Sequence, residues 1–449
     1  MANESADNKM DKKIVALCKR RGFIYPSFDI YGGLAGFFDY GPFGLALKNN
    51  ITGAWWKQFV TDREDVYGID SAVVTKKEVL QASGHIRGFA DMLSECEKCK
   101  RRFRTDHLTD ARKCPECGGK LGEARQFYMM LETRIGAAAL NPDGSGKEDD
   151  ASVAYLRPET AQGIFTNFKN IVDSFHPKLP FGIAQIGKAF RNEIAPRDFL
   201  FRVRELEQME VEYFVKPDEW EKTFLMWRKE INVFIEHIGI DAKKVSELEI
   251  AEADRAHYSK RTIDFEYDFP FGRKELYGLA YRTDYDLKNH AVASGVDMSY
   301  MDEETKEKII PHVIEPSLGV GRSLLAVLLS AYTEDELGGE RRVYLKLKPS
   351  IAPVKVAVFP LLKNKSELVA KAREVYSMLK KEFGAVAFDD NGNIGKRYRR
   401  QDEIGTPFCI TIDFDSLEKQ DVTVRDRDTG KQERVAIQEL PSCLKTKLA

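Results

Sequence analysis

The sequence has no surplus of charge of one sign, no long hydrophobic run and no apolar segment near its start. Its 69 Lys and Arg residues nearly balance 71 Asp and Glu residues, which gives a net charge of −2. This balance excludes a uniformly basic nucleic-acid-binding protein, so any such contact must come from local basic patches. The longest apolar runs, such as the one inside 323–331, are too short for a membrane helix, and the polar residues 1–13 do not resemble a signal peptide.

Cysteine is also scarce, with seven in 449 residues. Four form one cluster, whereas Cys18, Cys409 and Cys443 are scattered. A secreted disulfide framework is therefore not indicated, and we expect a cytoplasmic protein without a membrane segment. No internal repeat is present, and the length allows roughly two to four domains of about 100–200 residues each.

The clustered cysteines form two Cys-x-x-Cys pairs, Cys96 with Cys99 and Cys114 with Cys117. Two such pairs let four thiolates converge on one tetrahedral ion, and four protein ligands leave no open position for catalysis. The sequence therefore predicts a structural zinc site in an insertion at 91–125. The alternative is two redox pairs or a chance arrangement.

Residues 183–215 are predicted to form two strands joined by a charged loop. Arg191 and Glu193 would share one face of the first strand, 183–193, because alternate residues of a strand point to opposite faces. The charge pattern leaves two interpretations open. One is a surface hairpin with a solvated, salt-bridged face; the other is a floor for a polyanion, in which arginine binds phosphate and glutamate accepts from an exocyclic amine.

The loop and the second strand extend this polar surface. Arg202 and Arg204 follow the loop and offer further phosphate contacts. In the second strand, alternation puts four side chains on one face: Leu206, Gln208, Glu210 and Glu212.

The segment Gly319-Val320-Gly321-Arg322 is predicted to open a helix. An arginine in the first turn lies beside the positive end of the helix dipole, which is unfavourable unless an anion binds there. The alternative is an ordinary glycine turn that caps a buried helix.

Alternating helices and strands place the chain in the α/β class. We expect residues 1–10 to be disordered, 216–262 to be a helical insertion that includes the charged stretch 246–262, and a small α/β domain to occupy 346–449. A basic run in that last domain, around Tyr398, is suited either to RNA or to a solvated helix face. Its cations are Lys396, Arg397, Arg399 and Arg400.

Three separated segments then agree with one family. FRNEIAPRDFLFRVRELEQMEVE resembles motif 2 of the class II aminoacyl-tRNA synthetases, GPFGLALKNNITGAWW resembles motif 1, and EPSLGVGRSLLAVL resembles motif 3. Within that class, LRPETAQGIF, ASGHIRGFADM and YRTDYDL are similar to the homodimeric glycyl-tRNA synthetases. The likeness covers residues 12–440.

The resemblance implies a class II catalytic domain over 11–345, built on a six-stranded antiparallel sheet flanked by helices, with an anticodon-binding domain after it. It implies a homodimer joined through motif 1. It also implies ATP-dependent ligation of glycine to tRNA(Gly) through a glycyl-adenylate, with release of AMP and pyrophosphate. The alternative is a non-catalytic paralogue that acts as a nucleic-acid-binding accessory protein.

The resemblance also implies roles for single residues. Arg191 would hold the ATP α-phosphate, Glu193 the adenine amino group, Arg202 or Arg204 the outer phosphates, and Arg322, with Gly319 and Gly321 before it, the γ-phosphate. Glu275 resembles the carboxylate that holds Mg²⁺. The glycine site is implied to consist of Glu159, Glu210, Glu315 and Ser317 around the ammonium group, with Arg282 on the carboxylate.

One position departs from the family pattern. Leu206 stands where the family usually has phenylalanine beneath the adenine ring. We expect the loss of ring stacking to weaken ATP packing by about 0.5–1.5 kcal/mol, unless another ring such as Phe201 compensates.

Overall fold

A computed structural model gives the structure of residues 6–105, 108, 110–136 and 152–448. Over these residues the α-helices are α1 (Ala6–Arg21), α2 (Pro42–Trp56), α3 (Lys77–Ala82), α4 (His85–Gly88), α5 (Ala161–Phe175), α6 (Trp220–His237), α7 (Tyr285–Ser294), α8 (Val320–Ala331), α9 (Ser366–Phe383), α10 (Ile394–Ile404), α11 (Phe414–Lys419) and α12 (Leu440–Leu448).

The strands of the same residues are β1 (Ile24–Pro26), β2 (Phe38–Tyr40), β3 (Val66–Gly68), β4 (Val74–Lys76), β5 (Ala90–Glu95), β6 (Arg102–Arg104), β7 (Arg125–Tyr128), β8 (Leu131–Arg134), β9 (Val153–Leu156), β10 (Phe181–Phe190), β11 (Glu205–Val215), β12 (Val245–Glu249), β13 (Arg261–Phe269), β14 (Gly272–Thr283), β15 (Tyr300–Met301), β16 (Lys308–Ile309), β17 (His312–Gly319), β18 (Tyr332–Leu337), β19 (Glu340–Leu345), β20 (Val356–Pro360), β21 (Val386–Phe388), β22 (Phe408–Ile412), β23 (Asp421–Asp426) and β24 (Gln432–Ala436).

The largest sheet has the strand order β12-β13-β14-β17-β11-β10-β3. The first six strands run antiparallel to their neighbours, which confirms the expected antiparallel sheet, and β3 adds a parallel seventh strand beside β10. On β11, Met209, Val211 and Tyr213 are buried in the core that α2, α6 and α8 cover. Alternation therefore turns Gln208 and Glu210 to the opposite face of the sheet, where the polar site lies.

Two predictions about local structure were wrong in part. The stretch 246–262 is not α-helical, because Val245–Glu249 forms an edge strand that pairs with β13 and only Glu252–Asp254 forms a single 3-10 turn. Its charged side chains face outward, and Glu247 accepts from Arg228 of α6 at 2.6 Å. A charged edge strand and a solvated helix have the same composition, so composition could not separate them. Helix α1 begins at Ala6, so residues 6–10 are helical, while 1–5 lie outside the described residues.

The C-terminal sheet has the order β21-β20-β22-β23-β24, with parallel pairing among the first three strands and antiparallel pairing beyond them. Helix α9 covers it with four apolar side chains at helical spacing, and these pack on the buried sheet residues. They are Leu368, Ala372, Val375 and Leu379. The mixed α/β unit expected in this part of the chain is therefore present.

Helix α10 joins the C-terminal unit to the rest of the chain. Glu403 near its end accepts from both Arg20, at 3.1 Å, and Arg21, the last residues of α1. Arg399 pairs with Glu340 of β19 at 2.7 Å. The helix is thus held from two sides by side chains outside its own domain.

Across the described residues, the structure contains no helix with the length and apolar character needed to cross a membrane.

Candidate active site

The loop between β10 and β11 carries the first group of predicted site residues. β10 ends at Phe190, so Arg191 and Glu193 lie in the loop and not on a strand face as predicted. The reason is that the Glu193 N–H bonds to the Arg191 carbonyl at 2.7 Å, which turns the chain out of the sheet. Both side chains still reach the same cleft.

Arg204 holds this loop in place. Its guanidinium donates to the Glu193 carbonyl from Nε at 3.1 Å and from Nη2 at 2.9 Å, and Nη1 donates to the Ala35 carbonyl at 3.0 Å. Arg204 therefore does not line the cleft, whereas Arg202 does. Of the two arginines predicted to contact outer phosphates, the structure brings only Arg202 to the site.

A cationic cleft of ≈ 290 Å³ lies over this loop and the ends of β11, β14 and β17. Five cations and four carboxylates line it. The cations are Arg104, Lys188, Arg191, Arg202 and Arg322, and the carboxylates are Glu193, Glu205, Glu207 and Glu275. Glu205 is paired with Lys188 and Glu207 with Lys48, so neither neutralises the arginines of the cleft by direct pairing. Several arginines on one concave surface suit a phosphate-bearing ligand.

Arg322 lies in the first turn of α8, as the sequence predicted. Its Nη1 is 3.0 Å from Glu275 Oε2, and its guanidinium lies 4.5 Å from the centre of the Phe201 ring. The charge of Arg322 lowers the pKa of Glu275. Gly319 and Gly321 line the same cleft, and a Cβ on Gly321 would come within 3.2 Å of the Leu200 carbonyl.

Leu206 also lines the cationic cleft, on the face of β11 where the family places a ring. Phe201 lies in the same cleft but is packed against Phe269 and Phe271, with ring centres 5.2 and 5.1 Å away. Phe38 and Tyr40 of β2 add two further rings to the lining. The aromatic surface here therefore comes from β2 and the loop rather than from β11.

An acidic cleft adjoins the cationic one. It is lined by Glu159, Glu210, Glu315 and Asp264 and by the ring of Tyr258. Four side chains line both clefts, so the two form one continuous depression. They are Arg191, Gln208, Glu275 and Ser317.

Glu210 is fixed at the floor of the acidic cleft by neutral donors. Its Oε1 accepts from Ser317 Oγ and from Gln208 Nε2, each at 2.6 Å, and its Oε2 accepts from Thr160 Oγ1. Burial, together with the charge of Glu159, raises the pKa of Glu210. A buried carboxylate in this state favours a cationic ligand.

Glu159 stands on the opposite side of the same cleft. Its Oε1 accepts from Gln162 Nε2 at 2.9 Å, and its Oε2 is 3.3 Å from His85 Nε2. Although burial acts to raise it, the charges of His85 and Arg282 hold the pKa of Glu159 well below its ordinary value. This carboxylate is therefore ionised near neutral pH.

Arg282 is bonded to acidic side chains. Its Nε and Nη2 donate to the two oxygens of Asp286, each at 2.9 Å, and Nη1 donates to Glu315 Oε1 at 2.7 Å. The side chain is 1% exposed and does not line the acidic cleft. Three of its donors hold two acidic side chains in place, and its contact with a substrate carboxylate stays a prediction.

The basic run of α10 is likewise only partly available. Arg397 is 1% exposed and donates to the carbonyls of Asp390, at 3.0 Å, and Gly392, at 2.7 Å. Arg400 is paired with Asp389 at 2.6 Å. These two arginines shape the loop before α10, and their contact with RNA stays a prediction, while Lys396 and Arg399 are exposed.

The four clustered cysteines converge as predicted. Their Sγ atoms all lie within 4.8 Å of one another, with Cys96 and Cys117 at 3.5 Å and Cys99 and Cys114 at 3.7 Å. The Cys99 amide donates to Cys96 Sγ at 3.4 Å. Four sulfurs around one point have the donor type and number of a closed tetrahedral zinc site.

Comparison with known proteins supports the fold. Residues 146–332 match the family model "tRNA synthetase class II core domain (G, H, P, S and T)", and 355–447 match the model "Anticodon binding domain". The solved structure of Giardia lamblia prolyl-tRNA synthetase in complex with prolyl-adenylate is similar, with a TM-score of 0.70. It is 17% identical, and the match covers 98% of this chain and 80% of that chain.

Relatives found by sequence are much more similar in sequence than that solved structure is. The glycine–tRNA ligase of Thermobifida fusca is 49% identical over 464 residues, which cover 97% of this chain and 97% of that protein. This chain belongs to the glycine–tRNA ligase family. The glycine–tRNA ligases of Streptomyces coelicolor and Treponema denticola are 48% and 47% identical, covering 99% and 98% of this chain and 99% and 98% of their own lengths. The resemblance seen in the motifs is confirmed.

As a member of the glycine–tRNA ligase family, the chain also has polar residues at or beside the clefts to which its motifs assigned no role. Gln208 and Asp264 line the clefts, and Thr160 is bonded to Glu210. Burial and the charge of Glu275 raise the pKa of Asp264 to about 7. Gln208 shares a strand face with Glu210, so that alternation alone could have indicated it. Asp264 reaches the cleft through the pairing of β13 with β14, and Thr160 lies at the N-terminal end of α5, so neither had such a signal.

Proposed function

We propose that this chain is a glycine–tRNA ligase, which activates glycine with ATP and transfers it to tRNA(Gly). The observation that supports this best is the single depression with a cationic half and an acidic half, joined at Arg191. A triphosphate fits the first half and an ammonium group the second. The glycine–tRNA ligases that cover nearly the whole chain support the same activity.

In the first step, a glycine carboxylate oxygen bonds to the α-phosphorus of ATP while the bond to pyrophosphate breaks. Arg191 lies at the junction of the clefts, so it can bind both the carboxylate and the α-phosphate. Arg202 and Arg322 neutralise charge on the departing pyrophosphate. These residues act by positioning and charge stabilisation, which dominate phosphoryl-type transfers.

In the second step, a terminal ribose hydroxyl of tRNA attacks the glycyl carbonyl carbon. AMP leaves, and the hydroxyl proton is lost. Glu193 accepts from the adenine amino group, and Leu206 with Phe38 offers apolar surface to the base; support comes from their shared position in the lining of the cationic cleft.

Glycine is selected by exclusion, because it has no side chain to be recognised. Glu159, Glu210 and Glu315 surround the ammonium group, and Ser317 lies beside them. In a rigid pocket of this kind, a β-carbon meets a steric clash, which discriminates more strongly than the missing contact of one methyl group, about 1–3 kcal/mol.

A magnesium ion fits beside the phosphates. Glu275 and Asp264 offer carboxylate oxygens there, the ligands that Mg²⁺ prefers. The ion would supply positive charge to the triphosphate.

Glycine-dependent exchange of pyrophosphate into ATP tests the function. The purified chain is expected to catalyse exchange with glycine and not with alanine, and to charge tRNA(Gly) in the presence of ATP. Absence of exchange above background would favour the alternative of a non-catalytic paralogue that binds nucleic acid.

The cysteine cluster is proposed to hold one structural zinc ion per chain. Replacing Cys96 with serine is expected to lower the zinc content and to lower the thermal unfolding temperature, because binding to a closed site contributes to folding stability. Metal analysis of the purified variant, with Cys443→Ser as the control outside the cluster, measures this. Equal zinc content in the two variants would contradict the assignment.

For tRNA, we propose contacts by Lys396 and Arg399, the exposed cations of α10. Removing both charges is expected to raise the KM for tRNA several-fold and to leave pyrophosphate exchange unchanged, since neither residue approaches the clefts. An unchanged KM in the aminoacylation assay would exclude this surface.

A homodimer in the cytoplasm is the assembly that we propose. Four apolar side chains in the loop between β1 and β2 are exposed, as expected of a face that a second copy covers. They are Phe28 at 56%, Ile30 at 89%, Tyr31 at 85% and Leu34 at 49%. Sedimentation at the mass of a single 51.1 kDa chain would contradict it.

A further inference from the structure

Glu212 has no part in the steps described above, although it lies on the same strand face as Glu210. Its side chain is 0% exposed, and neither carboxyl oxygen has a hydrogen-bond partner among the described residues. A buried carboxyl group without a partner is strongly disfavoured in its ionised form. Its presence next to the acidic cleft therefore needs an explanation.

The groups around Glu212 come from several elements and are mostly acidic. Arg282 of β14 is the central cation, but it is bonded to Asp286 of α7 and to Glu315 of β17. Gln162 of α5 is also engaged, since its Nε2 donates to Glu159 and Asp286. Neither Arg282 nor Gln162 donates a hydrogen bond to Glu212.

Three further titratable groups face the cluster. His290 of α7 lies 2.9 Å from Gln162 Oε1, His85 of α4 lies 3.3 Å from Glu159, and the Tyr258 ring lies 3.8 Å from the Arg282 guanidinium. Burial lowers the pKa of His290, which keeps that ring neutral. His290 therefore does not offset the charge of the carboxylates beside Glu212.

Glu212 and Glu315 are neighbours across β11 and β17, because the paired residues Glu210–Ser317 and Tyr213–Ile314 lie on either side of them, and both side chains are buried. Burial, with the charge of Glu315, raises the pKa of Glu212 well above its ordinary value, and burial raises the pKa of Glu315 to about 8 in spite of Arg282. Glu315 lines the acidic cleft, whereas Glu212 lies behind it. A cation that enters the cleft thus meets Glu315 first.

We propose that the pair of Glu212 and Glu315 carries one proton in total in the free protein, and that the ammonium group of bound glycine displaces it. One positive charge enters the cleft and one leaves to solvent, so the net charge of the cluster is unchanged. Glu212 acts as a positioning residue through Glu315. The inference rests on the proposed function, because it takes glycine as the ligand.

Glycine binding should therefore compete with protons. In the wild-type chain, the KM for glycine in pyrophosphate exchange is expected to fall about tenfold per pH unit between pH 6 and 7.5, and to level off above about pH 8. Mixing glycine with the protein in a weak buffer at pH 7 is expected to release close to one proton per site, read with a pH indicator.

Glu212→Gln removes the shared acid, so Glu315 is expected to ionise beside Arg282. The KM for glycine should then lose its pH dependence and at pH 6 should lie 10- to 100-fold below that of the wild type. Glu249→Gln, an exposed carboxylate of β12 paired with Arg261, serves as the control and should keep the wild-type profile.

If the wild-type chain catalyses exchange with a KM for glycine that does not change with pH, and releases no proton on binding glycine, that result would overturn the inference and leave the proposed function standing. A Glu212→Gln variant that keeps the wild-type slope would overturn it as well. Absence of exchange in the wild type would instead refute the proposed function. The wild-type proton release needs no variant, so a variant that fails to fold does not leave the inference untested.

Discussion

Replacing Arg191 with alanine is expected to lower kcat/KM for glycine-dependent pyrophosphate exchange by about 10²- to 10³-fold, the size of effect seen when one preorganised charge-stabilising donor is removed. Arg191 lines both clefts, and its orientation is set by the Nε bond to the Pro158 carbonyl at 3.0 Å. Its loss removes positive charge from the point where the carboxylate and the α-phosphate meet. Steady-state exchange assays measure the change.

Two further variants separate this effect from a general loss of charge. Arg197→Ala removes an arginine from the same loop, but its side chain is 54% exposed and does not line the cleft, so near wild-type exchange is expected. Arg191→Lys keeps the charge and loses the planar fork, so an intermediate rate is expected. Equal exchange rates for Arg191→Ala and Arg197→Ala would show that the carboxylate and the α-phosphate do not meet at Arg191.

Replacing Arg282 with leucine is expected to destabilise the catalytic part of the chain by about 3–5 kcal/mol, the usual effect of removing one partner of a buried ion pair. Asp286 and Glu315 lose their bonded cation while they remain buried. All four tryptophans, Trp55, Trp56, Trp220 and Trp227, lie before residue 345, so the urea midpoint followed by tryptophan fluorescence reports this part alone.

The same variant should regain stability as the pH falls from 7 to 5. Burial already raises the pKa of Glu315, and without the charge of Arg282 that pKa rises further above its unfolded value, so the contribution of Glu315 to stability is greatest at low pH and is lost as the pH rises. Arg273→Leu on the same strand is the control. Its pair with Asp268 is about half exposed, at 52% and 45%, and the midpoint should not move. A pH-independent midpoint for Arg282→Leu, equal to that of the wild type, would contradict the buried-pair description.

The sequence predicted those parts of the site that depend on local pattern. Alternation along β11 placed Glu210 on the polar face, the first turn of α8 placed Arg322, and the spacing of the cysteines predicted their convergence. The antiparallel sheet was predicted from the family motifs, because hydrophobic periodicity does not give the order of the strands in a sheet.

What the sequence did not indicate has a common cause in hydrogen-bond partners distant in the chain. Arg204 and Arg397 are cations in the sequence, but backbone carbonyls from other segments bind their guanidinium groups in the structure. A carbonyl is present at every residue and leaves no mark in the pattern, so the sequence could not distinguish a structural arginine from one that binds substrate. Arg282 differs, because its partner Asp286 lies only four residues later, across the turn from β14 into α7.

The shared lining of the two clefts has a thermodynamic consequence. Because Arg191, Gln208, Glu275 and Ser317 border both halves, each substrate completes part of the wall against which the other binds. The affinities of ATP and glycine are then coupled, and the coupling is reciprocal: whatever factor one substrate adds to the binding of the second, the second adds to the first. A substitution at any of the four changes both affinities together.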